Sequence, residues 1–155
     1  MFVAIKNGER GVSMNVQSVL TSKGTAVETI DRASTIASAI HKLALKRIGV
    51  LVVSEDSKTI LGIISERDIV ASMANHGASL LDLSVAAIMT QRVKTCTPQD
   101  SITDVMEMMT NQRIRHVPVT EGGRLRGIIS IGDVVKHRLK ELETEAGYLR
   151  DYITH

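Results

Sequence analysis

The nine residues Gly62 to Val70, GIISERDIV, return 65 positions later as Gly127 to Val135, GIISIGDVV, with six of the nine letters identical. A chain of 155 residues that writes one unit of about 60 residues twice is constrained toward two similar halves sharing an interface, because units that small bury too little surface to be stable apart. Each copy also places a Ser three residues ahead of an Asp, Ser65 with Asp68 and Ser130 with Asp133. S-x-x-D just before a helical pattern is a capping-box sequence. The same spacing leaves a carboxylate in a first helical turn whose free amides attract phosphate, so cap and ligand site both remain open at this point.

The duplication extends upstream. At an offset of 66, Thr29 to Val53 aligns with Thr95 to Val119, and Thr29, Ile36, Arg47, Ile48 and Val53 coincide with Thr95, Ile102, Arg113, Ile114 and Val119. Apolar residues fall at helical spacing in both copies, at Ile36, Ala39, Ile40 and Leu43 and again at Ile102, Val105, Met106 and Met109. Ser34 and Asp100 are the expected N-caps, and the methionines of the second helix are expected as core filler. Each helix leads into a short apolar run, VLVV or HVPV, then a polar or glycine-rich turn, then ILGIIS or LRGIIS, which is a hairpin pattern. Helical patterning resumes at Ile69 to Ala74 and at Val134 to Leu142. The expected fold is therefore α+β: two β-α-β-β-α repeats packed through their sheets about a pseudo-two-fold axis, with any site built from the repeat occurring twice in the cleft between them. Residues 15–78 and 79–140 are the expected repeats, with 1–14 an N-terminal extension and 141–155 a C-terminal helix.

Composition closes off several functions. The three aromatics, Phe2, Tyr148 and Tyr152, lie outside the repeats, and the formal charge of +2 is scattered, so nucleic acid is not an expected partner. Single Cys96 sits in an apolar strand pattern as a buried free thiol, which fits a reducing compartment, and no apolar run is long enough to span a membrane. The start of the chain lacks a signal-peptide pattern, so a cytoplasmic protein is expected. The five histidines are dispersed without ligand spacing, which argues against a structural metal. Gly122 to Gly127 matches G-x-x-x-x-G, but Ile-Ile follows where a P-loop needs Lys and Ser or Thr. With no nucleophile elbow either, an enzyme is not expected and no cofactor is required.

Two tandem units of this layout, each ending in GIIS, two residues, Asp and an aliphatic, resemble a cystathionine-β-synthase (CBS) domain pair from Met14 to about Leu142. SVLTSKG, RIRHVPV and GIISIGDVV are similar to the phrasing of small stand-alone proteins made of two such domains. The resemblance implies a non-catalytic regulatory module that binds adenosine-containing ligands (AMP, ADP, ATP, NAD(H) or S-adenosylmethionine) between the repeats, associates into a disc of four repeats, and signals to a regulated protein. It further implies that the motif Asp holds ribose hydroxyls and the motif Ser lies near phosphate.

By analogy with that family, one pocket combines Ser65, Arg67 and Asp68 with Thr90, Val93, Ile114, Arg115 and His116. The other combines Ser130, Gly132 and Asp133 with Gly24, Val27, Ile48, Gly49 and Val50. Arg67 aligns with Gly132, and Arg115-His116 with Gly49-Val50, so the first pocket is the more positive and is expected to favour the more highly phosphorylated ligand. Partial protonation of His116 near neutral pH is expected to add to that charge.

Toward the C-terminus the apolar spacing Val135, Leu139, Leu142, Ala146, Leu149, Ile153 alternates four and three, a coiled-coil seam interrupted in propensity by Gly147. Such a stripe needs a second surface, and a homodimer is the expected supplier. The alternative function is a structural dimerisation module that carries no nucleotide.

Overall fold

The computed structural model describes residues 14–154; the expected N-terminal extension lies almost wholly outside them. In chain order the elements are helix α1 (Val16–Lys23), strand β1 (Thr29–Ile30), α2 (Ile36–Lys46), β2 (Val50–Val53), β3 (Gly62–Ser65), α3 (Glu66–His76), a 3-10 turn (Gly77–Asp82), α4 (Val85–Ile88), α5 (Ile102–Gln112), β4 (His116–Glu121), β5 (Arg124–Ser130) and α6 (Ile131–Thr154). The duplicated mixed architecture with a C-terminal helix is present. β1 runs parallel to β2 and β2 antiparallel to β3, while β4 and β5 form a hairpin closed by Gly122 and Gly123, both at positive φ as a tight two-residue turn requires.

The two copies differ in detail. In the second repeat the strand expected ahead of α5 shrinks to a single parallel bridge, Cys96 with Val119. The long helices are capped one residue later than the sequence pattern indicates: Thr35 accepts from the Ser38 amide at 3.1 Å and Ser101 from the Asp104 amide at 3.0 Å. Asp100 is not the cap because its carboxylate closes the preceding turn onto the Thr97 amide at 2.8 Å. Ser34 is likewise displaced from the role; its carbonyl accepts from the Val85 amide at 2.8 Å.

The helical faces bury as their spacing demands. Ile36, Ala39 and Leu43 are buried on α2, and Ile102, Val105 and Met109 on α5, with Met106 and Met108 packed at the margin of the core. What closes each core is an exchange of helices. Val16, Val19 and Leu20 of α1 pack into the second repeat with Ile129 and Val134, whereas Leu80 and Val85, which follow the first repeat, pack back into it with Leu51 and Ile64. The exchange is reciprocal. Asn15 bridges Ser101, the cap of α5, and Ser84 bridges Thr35, the cap of α2. That symmetry in the hydrogen bonding is the pseudo-two-fold relation.

The exchange also explains why both GIIS motifs open on glycine. A Cβ on Gly62 would stand 2.7 Å from Met89 Sδ and 2.9 Å from the Thr90 carbonyl oxygen, and one on Gly127 would stand 2.6 Å from Leu20 Cδ2. In each repeat the segment crossing over from the other half lies directly on that strand.

Candidate ligand cleft between the repeats

At the start of α3 the sequence SERD folds into a complete capping box. Ser65 Oγ accepts from the Asp68 amide at 3.2 Å, and Asp68 Oδ2 accepts from the Ser65 amide and hydroxyl, both at 2.9 Å. The box fixes the carboxylate in the first helical turn while Oδ1 takes no bond from the described residues. Ser65 and Asp68 line a cavity of about 350 Å³ between the repeats. Every other residue assigned to the first pocket lines it too: Arg67 from the same repeat, and Thr90, Val93, Ile114, Arg115 and His116 from beyond it. The cleft is joined across the halves by main-chain bonds between Ile63 and Thr90, both 2.9 Å, and by Arg67 Nη1 donating to the Arg113 carbonyl at 3.1 Å.

The assignments to the second pocket are redistributed. Gly49 and Val50 line the first cavity, because the Gly49 backbone stands beside His116 and Glu66 at the junction of the halves. Ile48 packs against the first core. Val27 is half-buried, and Gly24 ends α1 at φ 95 as an exposed C-cap. Ser130, Gly132 and Asp133 do open α6, with the Ser130 amide donating to Asp133 Oδ2 at 2.8 Å and Ser130 Oγ accepting from the Asp133 amide at 3.2 Å. Here, however, Lys23 Nζ also sits on Asp133 Oδ2 at 2.6 Å and donates to the Ile128 carbonyl at 2.9 Å. Burial alone raises the Asp133 pKa, but the Lys23 ion pair and the Ser130 hydrogen bonds outweigh it and hold the carboxyl below its usual range.

Four charged lining residues were not assigned to a pocket from the sequence: Glu66, Arg92, Lys94 and Arg113. The signal for two of them was available, since Arg92 and Lys94 flank Val93; Arg113 is brought in by its left-handed conformation at the end of α5, φ 53. The cavity thus gathers five permanent cations, Arg67, Arg92, Lys94, Arg113 and Arg115, against the carboxylates of Glu66 and Asp68, over an apolar floor that includes Val50, Ile63 and Ile114. His116 does not add to this charge as expected. Its burial, and next the nearby Lys23 ammonium, push its pKa below the usual imidazole value, so it is a neutral hydrogen-bonding ring near neutral pH.

Among the described residues no group of three or more His, Cys, Asp or Glu side chains could hold a metal ion, and no helix is long and apolar enough to cross a membrane. Cys96 is buried and unpaired; burial, with a contribution from Asp100, pushes its thiol up to about 12.

The model of the CBS domain matches the chain twice, over residues 18–75 and 85–140. The chain belongs to the CBS-domain family. CBS-domain pairs are in general regulatory modules. Among similar CBS proteins, a mitochondrial CBS-domain protein of Arabidopsis thaliana named CBSX3 is 33% identical over 151 residues, covering 91% of this chain and 72% of its own. The crystal structure of a CBS-domain protein from Agrobacterium tumefaciens superposes with a TM-score of 0.79 at 43% identity, covering 84% of this chain and 98% of that one. A CBS-domain protein of Burkholderia ambifaria, described as a putative signal-transduction protein, gives 0.77 at 35% identity, covering 82% and 95%.

Proposed function

We propose that this CBS pair is a non-catalytic sensor of adenosine-containing ligands, AMP, ADP, ATP or NAD(H), held in the cleft between the repeats, with a regulated protein reading the resulting change in the angle or pairing of the halves. The observation that carries the reading is the cavity that brings the Ser65–Asp68 box of one repeat against Arg115 and His116 of the other, with cations in excess. Asp68 is positioned to accept the two hydroxyls of a ribose. A phosphate chain is favoured by the helix N-terminus and the surrounding arginines. With no aromatic in the repeats, adenine lies between aliphatic side chains such as Val50, Ile63 and Ile114, an arrangement consistent with micromolar affinity. The cationic excess supports preference for the more phosphorylated ligands. A reducing compartment such as the cytosol suits buried, unpaired Cys96.

Isothermal titration of AMP and ATP tests this. Asp68→Ala is expected to weaken binding at this cleft at least tenfold, and Arg115→Ala to weaken ATP more than AMP. Unchanged titrations in both variants would remove the cleft from consideration.

A second reading, a structural dimerisation module, draws on the exposed seam of α6, where Leu139 is 57% exposed, Leu149 63% and Ile153 81%. Among the described residues nothing covers that stripe. A cyanobacterial CBS-CP12 protein with a TM-score of 0.69 at 28% identity is described as hexameric, which supports assembly as a property of related chains. We hold that the seam pairs two copies and that the cleft binds nucleotide as well. Thermal unfolding separates the readings, because a ligand that binds only the folded state raises Tm with its concentration. No shift with any adenosine ligand at millimolar concentration favours the structural one.

A further inference from the structure

The two Ser-Asp boxes are built alike, yet the first lines the cavity described above while in the second a lysine sits on the carboxylate. In the first repeat the residue aligned with Lys23 at the 66-residue offset is Met89, which is uncharged and lies against Gly62. In the second, Lys23 is the last residue of α1, whose Val16, Val19 and Leu20 are locked into the core, and Gly24 ends the helix immediately after it. The backbone is therefore held in place and the ammonium is delivered onto Asp133 at 2.6 Å, with a second anchor on the Ile128 carbonyl at 2.9 Å. The side chains of Lys23 and Asp133 are only 32% and 24% exposed, so the pair is partly withdrawn from solvent screening. Gly132 and Gly49 align with the first cleft's Arg67 and Arg115, and although the Arg115 carbonyl accepts from the Ile131 amide of the second box at 2.8 Å, Arg115 lines the first cavity.

We propose that Lys23 is a built-in occupant of the second cleft: its ammonium takes the carboxylate that would receive a sugar diol, and a ligand enters only by displacing it. The proposal rests on the reading of the first cleft as an adenosine site. It makes the two clefts of one chain unequal, with the first filling before the second. A displaced Lys23 is left beside the incoming ligand, where it meets a phosphate if there is one. Removing the lysine therefore helps an uncharged ligand more than an anionic one.

The test uses adenosine and AMP as probes, titrated into full-length chains in which Asp68→Ala silences the first cleft. Lys23→Met on that background is expected to bind adenosine about fivefold more tightly, the equivalent of about 1 kcal/mol for a partly exposed ion pair, with a smaller gain for AMP. Lys23→Arg, which preserves the pair, is expected to show no gain, and adding Asp133→Ala is expected to erase it. A readout without ligand accompanies this: the Asp133 carboxyl, followed by carbon-13 NMR, titrates at higher pH in Lys23→Met than in the parent. Adenosine affinity unchanged or weaker in Lys23→Met, or an unmoved Asp133 titration, overturns the proposal. If the chain with Asp68 intact binds one equivalent while Lys23→Met adds nothing, this inference falls and the first cleft stands. If no variant binds either probe, both fall.

Discussion

Gly62 and Gly127 are the same letter of the same motif, but what presses on them differs. The Cβ of an alanine at 62 would meet the Thr90 carbonyl at 2.9 Å, a backbone atom held by its own bonds to Ile63, whereas at 127 it would meet the tip of the Leu20 side chain. Overpacking against backbone forces a main-chain shift, while a leucine tip yields by changing rotamer. We expect Gly62→Ala to cost about 2–3 kcal/mol and Gly127→Ala about 1 kcal/mol, measured as a fall in the urea midpoint at constant slope. His116 supplies a second prediction at this scale. Its folded pKa is depressed by burial and then by Lys23, so below the unfolded value, about 6.5, the unfolded chain takes up a proton that the folded one resists. The His116 contribution to stability is complete above that pH and is lost as the pH falls toward the folded pKa. His116→Gln is expected to flatten the stability profile below about pH 6.5, and a profile as steep as that of the parent would show that the ring is not buried neutral.

Among the elements, α6 carries the strongest unanswered demand. It runs 24 residues without a break, its first half anchored by buried Val134 and by Glu141, which accepts from the Met14 amide at 3.0 Å and from Arg138 at 2.5 Å. On a different side, from Val135 onward, the seam faces outward. If two copies pair through it, as proposed, Leu139→Glu with Leu149→Glu is expected to shift the chain to monomer in sedimentation equilibrium without lowering its helix content in circular dichroism, because both positions are already exposed. A dimer that survives the double change would place the interface elsewhere. This helix and α2, α5 and both hairpins were legible in the sequence, since periods of 3.6 and 2 and the turn residues are local signals. The same holds for the first cleft, whose Ser65, Arg67, Asp68, Thr90, Val93, Ile114, Arg115 and His116 all line one cavity. The caps were not legible to the residue, because Ser34-Thr35 and Asp100-Ser101 each offer two suitable side chains in a row and only tertiary bonding chooses between them. Nor was Lys23, whose partner lies 110 positions away, or the neutrality of His116, which depends on burial that no sequence pattern specifies.

At the scale of the whole molecule, the exchange of helices means that sequence halves and structural halves do not coincide. α1 opens the first repeat but completes the second one's core, and the segment carrying Leu80 and Val85, which opens the second, completes the first. The two halves are then bound by topology as well as by surface, and a change in one is felt in the other. The same crossing segments carry the cleft residues: Met89-Thr90 lies over β3 beside the first box, and Leu20 precedes Lys23 at the second. A ligand that repositions either segment would therefore act on the core of the half it crosses into, which is the physical route from cleft to fold that the proposed sensor needs. Leu20→Ala probes that route. Leu20 is 3% exposed and contacts Gly127, so the change is expected to cost about 2–4 kcal/mol. Amide exchange should rise first around Ile129 and Val134 in the second repeat, more than 100 residues along the chain, and last around Leu51 and Ile64 in the first. Combined with Gly127→Ala, the two substitutions should cost less than their separate losses added, because the alanine at 127 then enters space that the leucine has vacated. Equal loosening of both repeats, or strict additivity, would show that α1 does not act as part of the second core in solution.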